Sequence, residues 1–444
     1  MRITQRSIFL FWAPLALTWL LMAVEGPFLA AVIARLADPK LNLAAYGVSF
    51  AFAILIEAPV IMLLSASTAL VEDAASYREL RSFANRLNAV STGLLLLILV
   101  PPVFGALAYD LLSLPDVIAR LTYGALWFFL PWPTAIGYRR MLQGVLIRSG
   151  RTRLVAYGTV MRLIAMSATA LGLYLGSDLP GAWVGAAALS VGVVVEALMV
   201  RWMARGSLRE LLGGPAVTTG RVLDRSAIAR FYMPLAMTSF IGLAVHPMLT
   251  FFMGRSAAPI ESLAIFPVVN SLSFVFRSLG FAYQDAAIAL LGPRREHFPE
   301  LARFAIWLGV AGTAAFLALA FTPLNAWWFV TVSGLTPDLA ELAIVPMRLL
   351  APLPFLSVFL AFERAILMHG RRTRPISDAT IIELVLIAAI FATLGWGVGM
   401  VGVTAAFIAF LGGRAVSTFY LVPETAKMLR VSHDSASGTG QSRA

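Results

Sequence analysis

Twelve long apolar runs dominate the chain, and they fix its solvent. They cover about 8–35, 42–71, 87–109, 117–147, 154–176 and 180–203, then 227–254, 261–292, 301–330, 338–368, 375–396 and 398–422. A helix needs roughly 20 residues to cross the hydrocarbon core of a bilayer. In that core every backbone N–H and C=O must be satisfied within the protein, which leaves helices or closed barrels. A barrel would read as weak alternating segments of about 10 residues, and none are seen. Composition agrees, with 59% hydrophobic and 13% charged residues, where a soluble domain carries roughly 45–50% and about 25%. The expected fold class is all-α integral membrane, with about twelve transmembrane helices. Several runs contain proline and exceed the membrane thickness, so kinks and tilt are expected.

The chain has no cysteine, which removes disulfides, thiolate chemistry and cysteine metal sites. Its net charge is +11. In a soluble protein that excess would suggest nucleic acid. Here the arginines gather in short loops on one side: Arg78/Arg81/Arg86, Arg148/Arg151/Arg153, Arg294/Arg295/Arg303 and Arg371/Arg372/Arg374. The opposite loops hold only Arg35, Lys40, Arg120 and Arg255. The positive-inside rule then places both termini in the cytoplasm of a cell (inner) membrane, and no nucleic acid is expected as partner. The N-terminal MRITQRSIFLFWAPLALTWLL imitates a signal peptide, but its apolar run is too long for one.

The chain also resembles itself. At a shift of 220 residues, FWAPLALT (Phe11 to Thr18) falls on FYMPLAMT (Phe231 to Thr238), Pro27 on Pro247, and Arg35 on Arg255. The same shift lays LIRSGR (Leu146 to Arg151) on ILMHGR (Ile366 to Arg371). The expected organisation is a six-helix bundle over 1–203, a cytoplasmic linker over 204–226, a second bundle over 227–422, and a partly disordered cytoplasmic tail over 423–444. Each half has an even number of helices, so the halves enter from the same side, as parallel repeats. Transporters of that design bind solute between the halves and rock one against the other. The paired prolines Pro27 and Pro247 predict a shared kink.

These spans bury thirteen charges: Glu25, Glu57, Arg139, Arg140, Arg162, Glu196, Arg277, Asp285, Arg348, Glu363, Arg364, Glu383 and Arg414. Each costs about 2.5–3.5 kcal/mol at a helix centre, so most must face water or one another. Glu57 and Arg277 hold the same repeat position, which suits either a gate or a static ion pair. Arg139, Arg140, Arg277 and Arg348 are candidates to line a solute cavity, with Glu57, Gln284 and Asp285. Arg364 is read as snorkelling to the interface. Glu25, His246 and Glu196 are candidates for proton or Na⁺ coupling, since a buried carboxylate or imidazole can take up a proton. Guanidinium groups in a cavity suit an anion, because their fork matches carboxylate and phosphate.

Gly397-x-Gly399-x-x-Gly402 matches a dinucleotide fingerprint, but no strand precedes it, so it reads as a turn or helix contact. No catalytic or metal-ligating constellation stands out; no enzyme activity and no cofactor beyond a coupling ion are expected. FWAPLALT and FYMPLAMT, LAAYGVSFAF in the second helix and RRMLQGVLIRSGRT at the end of the fourth resemble the progressive ankylosis protein family and its bacterial relatives. That family looks like a branch of the multidrug/oligosaccharidyl-lipid/polysaccharide (MOP) exporter superfamily, which includes the MATE exporters. The resemblance implies a two-bundle secondary exporter of small organic or phosphate-bearing anions, working by alternating access as a monomer in the lipid bilayer. A MATE-like cation exporter driven by H⁺ or Na⁺, and a lipid-linked saccharide flippase, are the alternatives. Lipid II flippases are expected to be less similar, because they carry two extra helices.

Overall fold

The computed structural model describes residues 3–213, 224–292, 295–370 and 372–437. Part of the expected linker (214–223), Arg294, Arg371 and the end of the tail (438–444) lie outside the described residues.

Each apolar run is a helix, straight or broken. We label them α1 (Gln5–Ala23 continuing as Glu25–Ile33), α2 (Pro39–Glu57, Leu63–Leu70), α3 (Ala74–Ile98, Pro101–Gly105 and a π-helical end Ala106–Leu111), α4 (Asp116–Phe128, Trp132–Arg148), α5 (Thr152–Gly176) and α6 (Gly181–Met203). The second set is α7 (Arg225–Gly254), α8 (Pro259–Leu290), α9 (Phe298–Phe321, Leu324–Ala326, π-helical Trp327–Val332), α10 (Pro337–Leu349, Leu353–His369), α11 (Arg374–Phe391, π-helical Ala392–Gly397) and α12 (Gly402–Ser437). Among the described residues nine helices are long and apolar enough to cross a membrane, and α3 and α10 do so as bent pairs. The remaining run, α4, carries Arg120, Arg139, Arg140 and Arg148. Residues 205–213, expected as linker, form a short helix, Arg205–Gly213.

Prolines account for most of the breaks. A proline lacks the N–H that closes a helical turn, and its ring clashes with the carbonyl four residues back. Pro59 interrupts α2 over 58–62, whereas α8, with Leu279 at the equivalent place, runs unbroken. The carbonyl of Pro59 accepts a hydrogen bond from the Tyr232 hydroxyl on α7. Pro131 and Pro352 stand at the breaks of α4 and α10. The kink expected at both Pro27 and Pro247 is not shared: α1 is interrupted at Val24, while α7 is continuous through Pro247.

The repeat register also needs a correction. Thr4 and Asp224 cap α1 and α7, and Asp38 and Ala258 hold left-handed backbone before α2 and α8; both pairs stand 220 apart. The Asp224 carboxylate accepts from the Ala227 N–H at 2.7 Å, which holds its pKa below the ordinary carboxylate value. From the π-helical ends onward the offset is 221: Ala106 matches Trp327, Trp132 matches Leu353, and Gly181 matches Gly402. Arg151 N–H donates to the Leu146 carbonyl, and Arg372 N–H to that of Leu367. Leu146 therefore corresponds to Leu367, and the LIRSGR/ILMHGR match is slipped by one residue.

By packing, the chain divides into two compact units. The carboxy-terminal unit comprises 1–28, 256–258 and 265–444, and the amino-terminal unit 29–255 and 259–264. The larger part of α1 thus packs with the second repeat, and α7 with the first. In the carboxy-terminal unit Trp12 of α1 donates to the Leu279 carbonyl (3.4 Å) and stacks edge-on against Phe304, and Gln5 donates to the Glu300 carbonyl (2.8 Å). In the amino-terminal unit Tyr232 of α7 meets Phe83, and His246 meets Phe50.

Within the carboxy-terminal unit α8 approaches the backbone of α10 closely at Gly280. A Cβ there would lie 2.8 Å from the Ser357 carbonyl oxygen, and backbone atoms cannot swing aside. Overpacking a tight contact costs about 1–3 kcal/mol. Gly280→Ala is expected to lower the melting temperature of the detergent-purified protein. Gly93→Ala, where a Cβ meets nothing within 4 Å, is expected to leave it unchanged. Equal melting of both variants would contradict this packing.

Candidate functional site

Both units carry charge in their interiors, and they neutralise it differently. In the amino-terminal unit the centre is Glu196 on α6, fully buried at 0% exposure. It forms an ion pair with Arg139 of α4, itself 3% exposed, and a second with Arg162 of α5 at 3.6 Å. Gln143 Nε2 donates to its other oxygen at 3.1 Å. Glu57 ends the first segment of α2 beside the break at Pro59. It accepts from the Trp132 indole N–H at 3.0 Å, and Arg140 and Arg139 act on it electrostatically. Three guanidinium groups thus share two buried carboxylates. A buried pair such as Arg139 and Glu196 holds together because each charge meets the other.

The carboxy-terminal unit has a pocket instead. Arg277, Phe281 and Gln284 of α8 line one wall, and Ser357, Leu360, Ala361 and Arg364 of α10 line the other; Arg414 of α12 completes it. The spacings i, i+4, i+7 on α8 and i, i+3, i+4, i+7 on α10 are single helical stripes. Arg277 contacts the Asn270 side-chain oxygen at 3.5 Å and lies over the rings of Phe274 and Phe410. Cation–π contacts of this sort help to hold a guanidinium without neutralising it. Neither Arg277 nor Arg364 has an ion-pair partner among the described residues. Arg414 does, at 2.7 Å from Glu383 of α11. The Ser357 hydroxyl is buried in the wall with no hydrogen-bond partner among the described residues.

The corrected register relates the two interiors. Glu57 corresponds to Arg277 at an offset of 220; Gln143 corresponds to Arg364, Arg162 to Glu383 and Glu196 to Ser417 at 221. Four equivalent positions are polar in both halves, with their charges redistributed. The amino-terminal set has two acids and one arginine, and the carboxy-terminal set two arginines and one acid.

Of the residues singled out in the sequence, Arg277 and Gln284 line the pocket. Asp285 is exposed beside it and accepts from the Trp19 indole at 3.4 Å. Arg348 lies outside it, donating to the Ala320 carbonyl at 3.2 Å. Glu57, Arg139, Arg140 and Glu196 belong to the amino-terminal cluster. Glu57 and Arg277 lie in different units, and each has its partners within its own. Glu25, in the first turn of the second segment of α1, and His246 on α7 also fall in different units. Arg364, read as an interfacial residue, lines the pocket, and so do Arg414 and Ser357. The α10 stripe running from Ser357 to Arg364 was the signal available for two of them.

No family model and no curated protein matches the chain. Solved structures do. An inward-facing multidrug resistance MATE family transporter of the MOP superfamily matches with a TM-score of 0.68 at 16% identity, over 94% of this chain and 96% of that one. The lipid II flippase MurJ, in an inward closed conformation, matches with 0.69 at 13%, over 95% and 90%. A MOP superfamily transporter from Pyrococcus furiosus, described by a reverse polarity of its binding pocket that suggests a different function, matches with 0.62 at 14%, over 97% and 96%. At such identities the likeness concerns the fold, which is that of the MATE transporters. MurJ matches in fold as well as the MATE structure does, with a lower identity and a smaller share of its own chain covered.

Removing Glu196 leaves Arg139 and Arg162 buried without their carboxylate, a loss of about 3–5 kcal/mol. Glu196→Gln is expected to lower the melting temperature by many degrees and reduce the yield of monodisperse protein. Wild-type melting would contradict the role given to Glu196.

Proposed function

We propose that the chain is a secondary transporter of small organic or phosphate-bearing anions, and that the carboxy-terminal pocket is its anion site. The observation that carries this reading is the pair Arg277 and Arg364, two guanidinium groups in a pocket wall with no carboxylate in ion-pair contact among the described residues. An unpaired charge in a low-dielectric interior is strongly unfavourable, so such a wall favours a solute that brings the missing negative charge. Planar guanidinium forks bind carboxylate and phosphate oxygens in pairs. Gln284 and Ser357 add neutral donors.

The fold supports transport over catalysis, since structures of this likeness have been caught facing inward and outward. The Pyrococcus furiosus transporter is a precedent for one fold carrying pockets of different polarity. We take the chain to be an exporter of the MOP superfamily, akin to the progressive ankylosis family, whose motifs it resembles. Its arginine-rich loops support cytoplasmic termini in the inner membrane, and we take the working unit to be a monomer. Coupling to H⁺ or Na⁺ through Glu25 or His246 fits this scheme. The MurJ likeness favours a second reading, in which the anion is the headgroup of a lipid-linked substrate.

Reconstituted protein is expected to move a radiolabelled dicarboxylate or phosphate compound across liposome membranes. Arg277→Gln and Arg364→Gln are each expected to reduce flux at least about tenfold, the effect of losing roughly 1.4 kcal/mol of binding, with melting temperature retained. Wild-type flux in both would sink the anion reading. Gradient-driven efflux of a cationic dye, lost in Glu25→Gln, would replace it with a cation exporter.

A further inference from the structure

The pocket holds three guanidinium groups but leaves only two of them unpaired. Arg414 is engaged by Glu383, and the Ser417 hydroxyl donates to the same carboxylate at 3.3 Å. Glu383 is 4% exposed and does not line the pocket, so it grips Arg414 from outside the wall. The guanidinium groups of Arg414 and Arg277 both lie over the ring of Phe410, 5.3 Å and 5.1 Å from its centre. No acid separates them. Glu363, adjacent to Arg364 in sequence, acts on it electrostatically but does not line the pocket, and its two buried carboxyl oxygens meet no hydrogen-bond donor among the described residues.

We propose that Glu383 is a resident counter-anion that sets the charge of the solute, so that the pocket takes a dianion. This rests on the anion reading above. Arg277 and Arg364 together match two negative groups. A third negative group has to compete with Glu383 for Arg414. Success would leave the Glu383 carboxylate in the interior with the Ser417 hydroxyl as its only direct contact, and a buried carboxylate that loses its ion-pair partner is heavily penalised. The repeat shows what is distinctive here. The position of Glu383 is held by Arg162 in the other half, and that of Ser417 by Glu196. The carboxylate of this layer has moved from the sixth helix of its repeat to the fifth, where it pairs directly with one guanidinium of the pocket and acts on the other two only at longer range.

The test compares two ligands that differ by one carboxylate, succinate and propane-1,2,3-tricarboxylate, titrated into the full chain in detergent at neutral pH. Wild type is expected to bind the dicarboxylate more tightly, by about tenfold. Glu383→Gln frees Arg414, and one added unit of positive charge at close range shifts the ratio toward the tricarboxylate by about tenfold or more. Glu383→Asp keeps the charge and the wild-type order. A purely structural role would weaken both ligands together and leave their ratio unmoved. The proposal is overturned if wild type prefers the tricarboxylate, or if Glu383→Gln binds succinate with the ratio unchanged. Should Glu383→Gln fail to fold, the wild-type ratio decides. Binding of neither ligand by wild type, or binding that Arg277→Gln leaves intact, would refute the anion site itself and not the role of Glu383.

Discussion

A guanidinium group taken out of water has to be met by a negative charge, and this one requirement organises both interiors of the molecule. Arginine stays protonated under any ordinary condition, so it cannot escape the cost of burial by losing its proton. The amino-terminal unit meets most of the requirement from within. Glu196 serves Arg139 and Arg162, and Glu57 stands beside Arg140. The carboxy-terminal unit meets it in part. Glu383 serves Arg414, while Arg277 rests on aromatic faces and a side-chain amide, and Arg364 faces the pocket without an ion-pair contact among the described residues. The first arrangement is that of a closed structural core. The second leaves two guanidinium groups for a solute to meet, and the proposed function rests on that difference.

The backbone is shaped to bring these groups together. Pro59 breaks α2 directly after Glu57, and Pro131 breaks α4 directly before Trp132. The carboxylate at one break therefore meets the indole N–H at the other. In the carboxy-terminal unit Gly280 allows α8 to approach α10 at Ser357, and the stripes bearing Arg277 and Arg364 then face a common space. Broken helices in membranes survive only where protein or water satisfies the freed backbone groups. The Pro59 carbonyl, taken by Tyr232, is one such case.

Much of this was legible in the sequence, because bilayer physics is strict. Twelve apolar runs gave twelve helices, and the 220-residue shift revealed the repeat. The embedded charges were recognisable as too many to face lipid. What was not legible depends on register and direction. An apparent match at LIRSGR hid the change of offset to 221, although Pro131/Pro352 and Pro133/Pro354 already carried it. Without that change Arg162 and Glu383 do not align, and the exchanged polar layer stays hidden. Nor could one-dimensional position separate Arg139, held by Glu196, from Arg364, which faces the pocket; both lie on the second segment of a broken fourth helix. The exchange of α1 and α7 between the packing units is a tertiary choice that left no mark on the local pattern.

The central claim is that an anion occupies the space bounded by Arg277, Arg364 and Ser357. The chain contains no cysteine, so Ser357→Cys introduces a single thiol into that wall. The most direct measurement is the rate at which a small water-soluble thiol reagent modifies this cysteine, with and without saturating dicarboxylate. Severalfold slower modification in the presence of the anion is the predicted result, with no slowing at a cysteine placed at Gly93. Equal rates at Ser357→Cys, under conditions where the anion is transported, would contradict the account.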